Sequence, residues 1–418
     1  MLEKKYFKVR TVPYIKHALK AGGVIGIFLL SYYLIELFFS RQRDASQQAS
    51  VDASALIFIV YAFTCLYLAF IICFSTQYKK LTTKILSNSP IKWFLLYSIW
   101  GGVTSLWSTS LPMTAYRSIE CIGMLLIMIA VAEQLVMKRG LSELLMWSSV
   151  FVFFSILIRF LSYIRGGAEI SLNIGDGTVF NCAQMIAPIF FYLPLYVQTP
   201  RIIKCIICGF AIVSMSTVGY IGMTLGAISA FWSNKIVRAM AILATIILLA
   251  LSFTFGAETI LLKTIFAEKT SVSFEETTGR DVIWLYGIER GMERPMIGWG
   301  FAAGERTLVE EKELMGVIGM HNCFMSAFVG CGLIGVTLMF LFWWSLLRTT
   351  FSRYIPKDIK PLFIALLAGA FIESFGNPGI GMRVYGSWIA STLVAVMISV
   401  VYVYNKYKFE NNEDNLGN

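Results

Sequence analysis

Residues 319–344 read GMHNCFMSAFVGCGLIGVTLMFLFWW. From Cys323 onward no charged side chain occurs until Arg348. An apolar run of that kind is what an α-helix needs to cross a bilayer, about 20 residues at roughly 1.5 Å each. At its lip stands His321, one of only two histidines in the chain, followed by Asn322. The positive end of a helix disfavours imidazolium, so the ring tends toward neutral, as a general base must be. A capping or interfacial histidine is the alternative, and the local residues leave both open.

Working outward, the same apolar pattern recurs along the whole chain. Its 418 residues are 57% hydrophobic and 14% charged, with mean hydropathy +0.69, whereas soluble domains are about a quarter charged. The pattern predicts an all-α polytopic integral membrane protein with twelve transmembrane helices. These are expected near 21–40, 55–75, 92–107, 118–137, 142–164, 183–199, 203–216, 218–234, 236–256, 321–346, 361–376 and 384–404. The seventh and eighth come from one apolar stretch broken around Ser214–Gly219, SMSTVG. The first helix follows a long basic tail with no small-x-small cleavage site, so it reads as a span and not as a cleaved signal.

Basic residues orient this layout. With the N-terminus cytoplasmic, 22 of the 35 Lys and Arg fall in inner loops and tails, as the positive-inside rule requires. The expected organisation is a cytoplasmic N-terminal tail (1–20), nine spans (21–256), a periplasmic loop (257–320), three spans (321–404) and a cytoplasmic C-terminal tail (405–418). The net charge of +10 is then a record of topology, and no nucleic-acid partner is expected. The eight cysteines lie in or beside apolar runs and read as small core residues. Cys182 and Cys323 fall near one membrane face without any pattern that supports a disulfide, and the Cys205–Cys208 pair sits inside a spanning pattern.

Ionisable residues at membrane depth are costly and point to function. Arg117, Glu120, Arg159, Arg165, Glu36, Glu373 and Arg383 all gather at the outer face in this layout, with Glu133 the main exception. Snorkelling accounts for Arg165 and Glu36. Arg117–Glu120 and Arg159, taken with His321, suggest a polar chamber that opens outward. The outer loop carries seven basic and eleven acidic residues, and a loop of such length is usually functional. Within it, residues 277–295 (TTGRDVIWLYGIERGMERP) have a helical pattern: Thr278 and Asp281 have capping-box spacing, and Pro295 stops it. Arg280 falls in the first turn, where a helix N-terminus favours anions and a guanidinium adds forked donors for phosphate. From spacing alone, a surface helix with Arg280 in a salt bridge is the simpler reading.

Three blocks in order, GRDVIW, RPMIGWG and HNCFMSAFVGCGLIG, resemble the C-terminal signature of the O-antigen ligase and O-antigen polymerase superfamily. SLWSTSLPMTAYRSIE (Ser105 to Glu120) resembles its Trp-Ser…Pro…Arg segment, and GTVFNCAQ is a fainter echo of its Gly-x-x-x-Asn segment. The resemblance implies a GT-C-type membrane glycosyltransferase in the bacterial inner membrane. It would take a glycan from undecaprenyl diphosphate at the periplasmic face and pass it to an acceptor sugar, with no metal and no cofactor. The acceptor would be a lipid-linked repeat (O-antigen or exopolysaccharide polymerase) or lipid A core (O-antigen ligase, in lipopolysaccharide biosynthesis). A chain-length regulator is an implied partner.

By the same resemblance Arg280 holds the diphosphate and His321 is the base, with Asn322 orienting the ring or a sugar hydroxyl. Ligases carry a second arginine in a Ser-Arg-Gly turn, and here that turn reads SMSTVGYIG, with Thr217 and Val218. Arg117, Arg159 and Arg383 are the candidates for the second cation, with Glu373 beside them at the outer face. Trp284, Tyr286 and Trp299 either stack on sugars or pack the loop down. The missing Ser-Arg favours polymerase over ligase. A lipid-linked oligosaccharide flippase ranks last, since neither internal repeats nor midplane charges are visible.

Overall fold

The computed structural model describes residues 79–139, 280–312, 319–376, 380, 381, 384 and 386–414, with scattered helical positions within 56–67 and 228–243. Apart from those positions, the spans expected at 21–40, 55–75 and 142–256, and with them Arg159, Arg165 and the SMSTVG turn, lie outside the described residues, as does Arg383. The described helices are α1 (Lys79–Asn88), α2 (Ile91–Val103), α3 (Leu111–Arg139), α4 (Arg280–Glu293), α5 (Ala303–Glu311), α6 (Cys323–Thr350), α7 (Lys360–Gly376) and α8 (Gly386–Asp414). Among the described residues there is no strand.

Two of these helices contain stretches long and apolar enough to cross a membrane, Leu111–Ala130 and Cys323–Thr350. Along α6, Leu333, Phe340, Trp344 and Leu347 are exposed, and Phe351 just beyond it continues the row. They recur every three to seven residues on one face, a stripe suited to lipid contact and too apolar for water. The opposite face, with Cys331, Met339, Phe342 and Leu346, is buried. It packs on α2, whose Phe94 ring lies 5.2 Å from Phe342 and 5.8 Å from Trp388 of α8. In an apolar solvent this core gains little from leaving water, so close packing and buried hydrogen bonds hold it. Tyr97 supplies one such bond, donating its hydroxyl to the Gly381 carbonyl at 2.7 Å. At the other end of the bundle Glu133, which is fully buried, accepts the Thr82 hydroxyl from α1.

Several boundaries differ from the sequence expectation. The segment 79–88, expected to be a basic inner loop, is the helix α1, closed by Ser89 and Pro90. The third span ends in a 3₁₀ turn, Thr104–Leu106, and α3 begins at Leu111, so Arg117 and Glu120 sit inside a helix and do not open it. Helix α8 continues to Asp414, well into the segment expected to be a tail. Hydropathy marks where a helix enters lipid, and it is blind to polar turns that continue beyond.

The largest departure lies in α6, which is broken at Gly332 (φ 67°, ψ −165°). The loop Pro295–Gly300 fills the break. Val329 and Gly330 carbonyls accept from the Trp299 and Gly300 amides, both at 2.9 Å, and the Leu333 amide donates to the Pro295 carbonyl at 2.7 Å. Trp100 of α2 donates its indole N–H to the Cys331 carbonyl at 3.0 Å. An unpaired backbone group at membrane depth costs several kcal/mol, and here the loop and Trp100 supply the partners that the helix has given up. A Cβ on Gly332 would stand 2.3 Å from the Met296 carbonyl carbon, so only glycine lets the two backbones meet. The PMIGWG and GCGLIG blocks are thus two halves of one backbone junction.

Candidate active site

The loop helices rest on the start of α6. Ile283, Leu308, Val309, Met320 and Val329 form a small core of their own, with Trp284, Tyr286 and Met325 packed against it. Gly287 and Gly291 present a bare stripe of α4 to α6: Cβ atoms there would press on the Met320 sulfur (2.9 Å) and the Phe328 ring (2.2 Å). This contact brings α4 against the turn that carries His321.

That turn is tightly held. Asn322 is the N-cap of α6, its backbone extended (φ −155°, ψ 127°), and its Oδ1 accepts from the Phe324 and Met325 amides at 2.9 and 3.2 Å. It therefore satisfies two of the four orphan amides of the helix. His321 precedes the cap at φ 51°, a left-handed conformation uncommon outside glycine, though histidine is among the residues enriched in it. The imidazole is half-buried. Met320, fully buried, is gripped on both sides: Trp284 donates its indole N–H to the Met320 carbonyl at 2.7 Å, and the Glu305 carboxylate accepts the Met320 amide at 3.4 Å. The same Glu305 oxygen accepts the Ser326 hydroxyl at 2.8 Å.

The other residues singled out from sequence fall as follows. Arg280 is the first residue of α4, one helical turn before Trp284, so its backbone stands a turn away from the group that grips the His321 turn. Arg117 forms an ion pair with Glu120 at 2.7 Å. The Tyr116 hydroxyl donates to the other Glu120 oxygen at 3.0 Å, and the Arg117 guanidinium lies over the Tyr116 ring. Arg117 is a turn beyond Thr114, whose hydroxyl donates to the Phe301 carbonyl at 3.1 Å, so this ion pair lies beside the loop junction. Glu373 is buried near the end of α7. That end turns at Gly381, where a Cβ would stand 3.1 Å from the Cys323 carbonyl oxygen, two residues beyond His321. Cys323 is a free thiol.

Two of the three loop aromatics have their indole N–H groups engaged within the described residues. Trp284 spends its N–H on Met320. Trp299 carries the Arg290 and Arg294 guanidinium groups on its ring, at 3.7 and 3.9 Å from the centroid, and donates its N–H to the Arg290 carbonyl at 2.8 Å. The sugar-stacking alternative for Trp299 therefore meets a ring already covered by cations. Tyr286 has Lys312 over its ring at 4.6 Å. Glu305 was not singled out by the sequence. Its only signal there is an acidic residue in the first turn of a short amphipathic helix, which is common on any protein surface.

The described residues define an all-helical protein with membrane-length apolar helices and a polar body docked into the break of one of them. Residues 202–340 match the model of a family described as O-Antigen ligase. This stretch, a third of the chain, takes in α4, α5, the His321 turn and the first two-thirds of α6. No curated protein matches the chain.

Proposed function

We propose that the protein is a GT-C-type membrane glycosyltransferase that moves an undecaprenyl-diphosphate-linked glycan onto an acceptor sugar at the periplasmic face. The observation that supports this best is a coincidence of place. The family match covers the loop whose helices converge on the capped, doubly gripped His321 turn. Arg280 holds the diphosphate at the start of α4. A guanidinium is permanently charged and forks onto phosphate oxygens, so it stabilises the departing diphosphate. His321 takes the proton from the acceptor hydroxyl as that oxygen bonds to the anomeric carbon and the bond from that carbon to the phosphate oxygen breaks. Arg117 is the described candidate for the second cation, though its fork is shared with Glu120. Asn322 contributes by capping α6 and so fixing the residue before it.

The acceptor decides between two activities. The absence of a Ser-Arg turn at 214–219 favours polymerisation on the same lipid carrier. The description of the matching family favours ligation to lipid A core. Purified protein given lipid-linked repeat units alone separates them: a polymerase makes a ladder, and a ligase makes product only when lipid A core is added. In either case His321→Ala should lose about 10²–10⁴ in turnover while still binding donor. A His321→Ala protein that turns over at the wild-type rate would remove the base from this scheme.

A further inference from the structure

The His321 turn is fixed by a residue that no motif marks. We propose that Glu305 is a positioning residue for His321, setting the imidazole by clamping the chain on both sides of it; the inference rests on the glycosyltransferase reading above. Glu305 is only 4% exposed, and it is the third residue of α5, which begins directly after the loop docked into α6. One of its oxygens accepts from the Met320 amide, just before His321, and from the Ser326 hydroxyl, one turn into α6. With Trp284 on the Met320 carbonyl, both backbone polar groups of Met320 are engaged. A non-glycine residue persists at positive φ only where its surroundings over-determine it, and His321 at φ 51° has that support from three separate elements: α4, α5 and the Asn322 cap. A carboxylate buried at this spot is costly unless hydrogen-bonded. The Met320 and Ser326 donors come from the segment that carries the base, so the placement of Glu305 ties the docked loop to the imidazole.

The test compares geometry with charge. Glu305→Gln keeps an oxygen at the same reach, whereas Glu305→Asp keeps the charge and withdraws the oxygen by roughly one bond length, and an ångström of misplacement is worth up to about 10²-fold in rate. In full-length protein with lipid-linked donor, Glu305→Asp should lower kcat by about 10–100-fold with donor KM within about twofold, and Glu305→Gln should stay within about threefold of wild type. In a His321→Ala background Glu305→Asp should cost nothing further, because residues that act as a unit are not additive. Should Glu305→Asp not fold, Ser326→Ala takes its place, with an expected kcat loss of about tenfold that likewise vanishes in His321→Ala. The proposal is overturned if these losses multiply with that of His321→Ala, if the substituted proteins keep wild-type kcat, or if Glu305→Gln is as slow as Glu305→Asp. A His321→Ala protein with wild-type turnover would instead overturn the base reading itself.

Discussion

Gly332→Ala should undock the loop from α6. The backbone at Gly332 (φ 67°, ψ −165°) lies in a region almost reserved for glycine, and forcing alanine into it costs about 1–3 kcal/mol. The new methyl would also sit 2.3–2.5 Å from the carbonyl carbon and oxygen of Met296 and the nitrogen of Ile297. These are backbone atoms that cannot rotate aside, so the loop must retreat. Retreat lengthens or breaks the bond from the Leu333 amide to the Pro295 carbonyl, and a buried donor left unpaired costs a further ~1–3 kcal/mol. The sum is about 2–6 kcal/mol, roughly a 30- to 10⁴-fold loss of the docked population. Cys331, next to the break and fully buried, reports it. In a variant with Cys331 as its sole cysteine, a thiol-reactive dye should label Gly332→Ala at least about 30-fold faster than the parent. Thr337→Ala, on the exposed side of α6, should leave the rate nearly unchanged. If Gly332→Ala labels and turns over like the parent, the break in α6 does not depend on glycine and the junction is misread.

Three further predictions follow from the site and the layout. Arg280→Lys should lose most glycan product at normal protein level, by about tenfold or more, because a point charge replaces a forked contact; Arg306→Ala, later in the loop, is the control and should be tolerated. Trp299→Leu should loosen the same junction by about 1–3 kcal/mol, since it removes the ring shared by Arg290 and Arg294, and the Cys331 labelling assay would show no change if that sandwich is idle. Single cysteines at Glu268 and Asn415 should react with an impermeant reagent in intact cells only at position 268; labelling at 415 contradicts a cytoplasmic C-terminus.

The hydropathy pattern foretold α3, α6, α7 and α8 because an apolar run has one stable form in lipid, the helix. Helix α4 was legible for a different reason: a Thr-x-x-Asp start, an amphipathic body and a proline stop. The break in α6 was not, although Gly330, Gly332 and Gly335 lie within six residues. Glycine is common in membrane helices, and what turns Gly332 into a break is a loop some thirty residues upstream that supplies the hydrogen bonds. Glu305 was hidden for a similar reason, since its donors, Met320 and Ser326, come from a later element. His321 was visible as a rare residue at a hydrophobic lip, whereas its left-handed backbone is held by contacts from α4 and α5 that no local pattern contains.

The junction at Gly332 also sets limits on recombination. If the proposed activity holds, this loop is an attractive part to exchange when a new sugar or acceptor is wanted. Here the natural seam, the point where the polar loop meets the apolar run at residue 321, is the wrong place to cut. Val329, Gly330, Leu333 and Ile334 of α6 share backbone hydrogen bonds with residues 295–300, so a graft that ends at residue 321 would carry half of a joint and leave the other half behind. A chimera should keep α4, α5, the His321 turn and α6 through Ile334 from one parent. Cut there, the incoming piece brings its own partner backbone, and the recipient has to match only the lipid-facing stripe and the α2 face with Trp100.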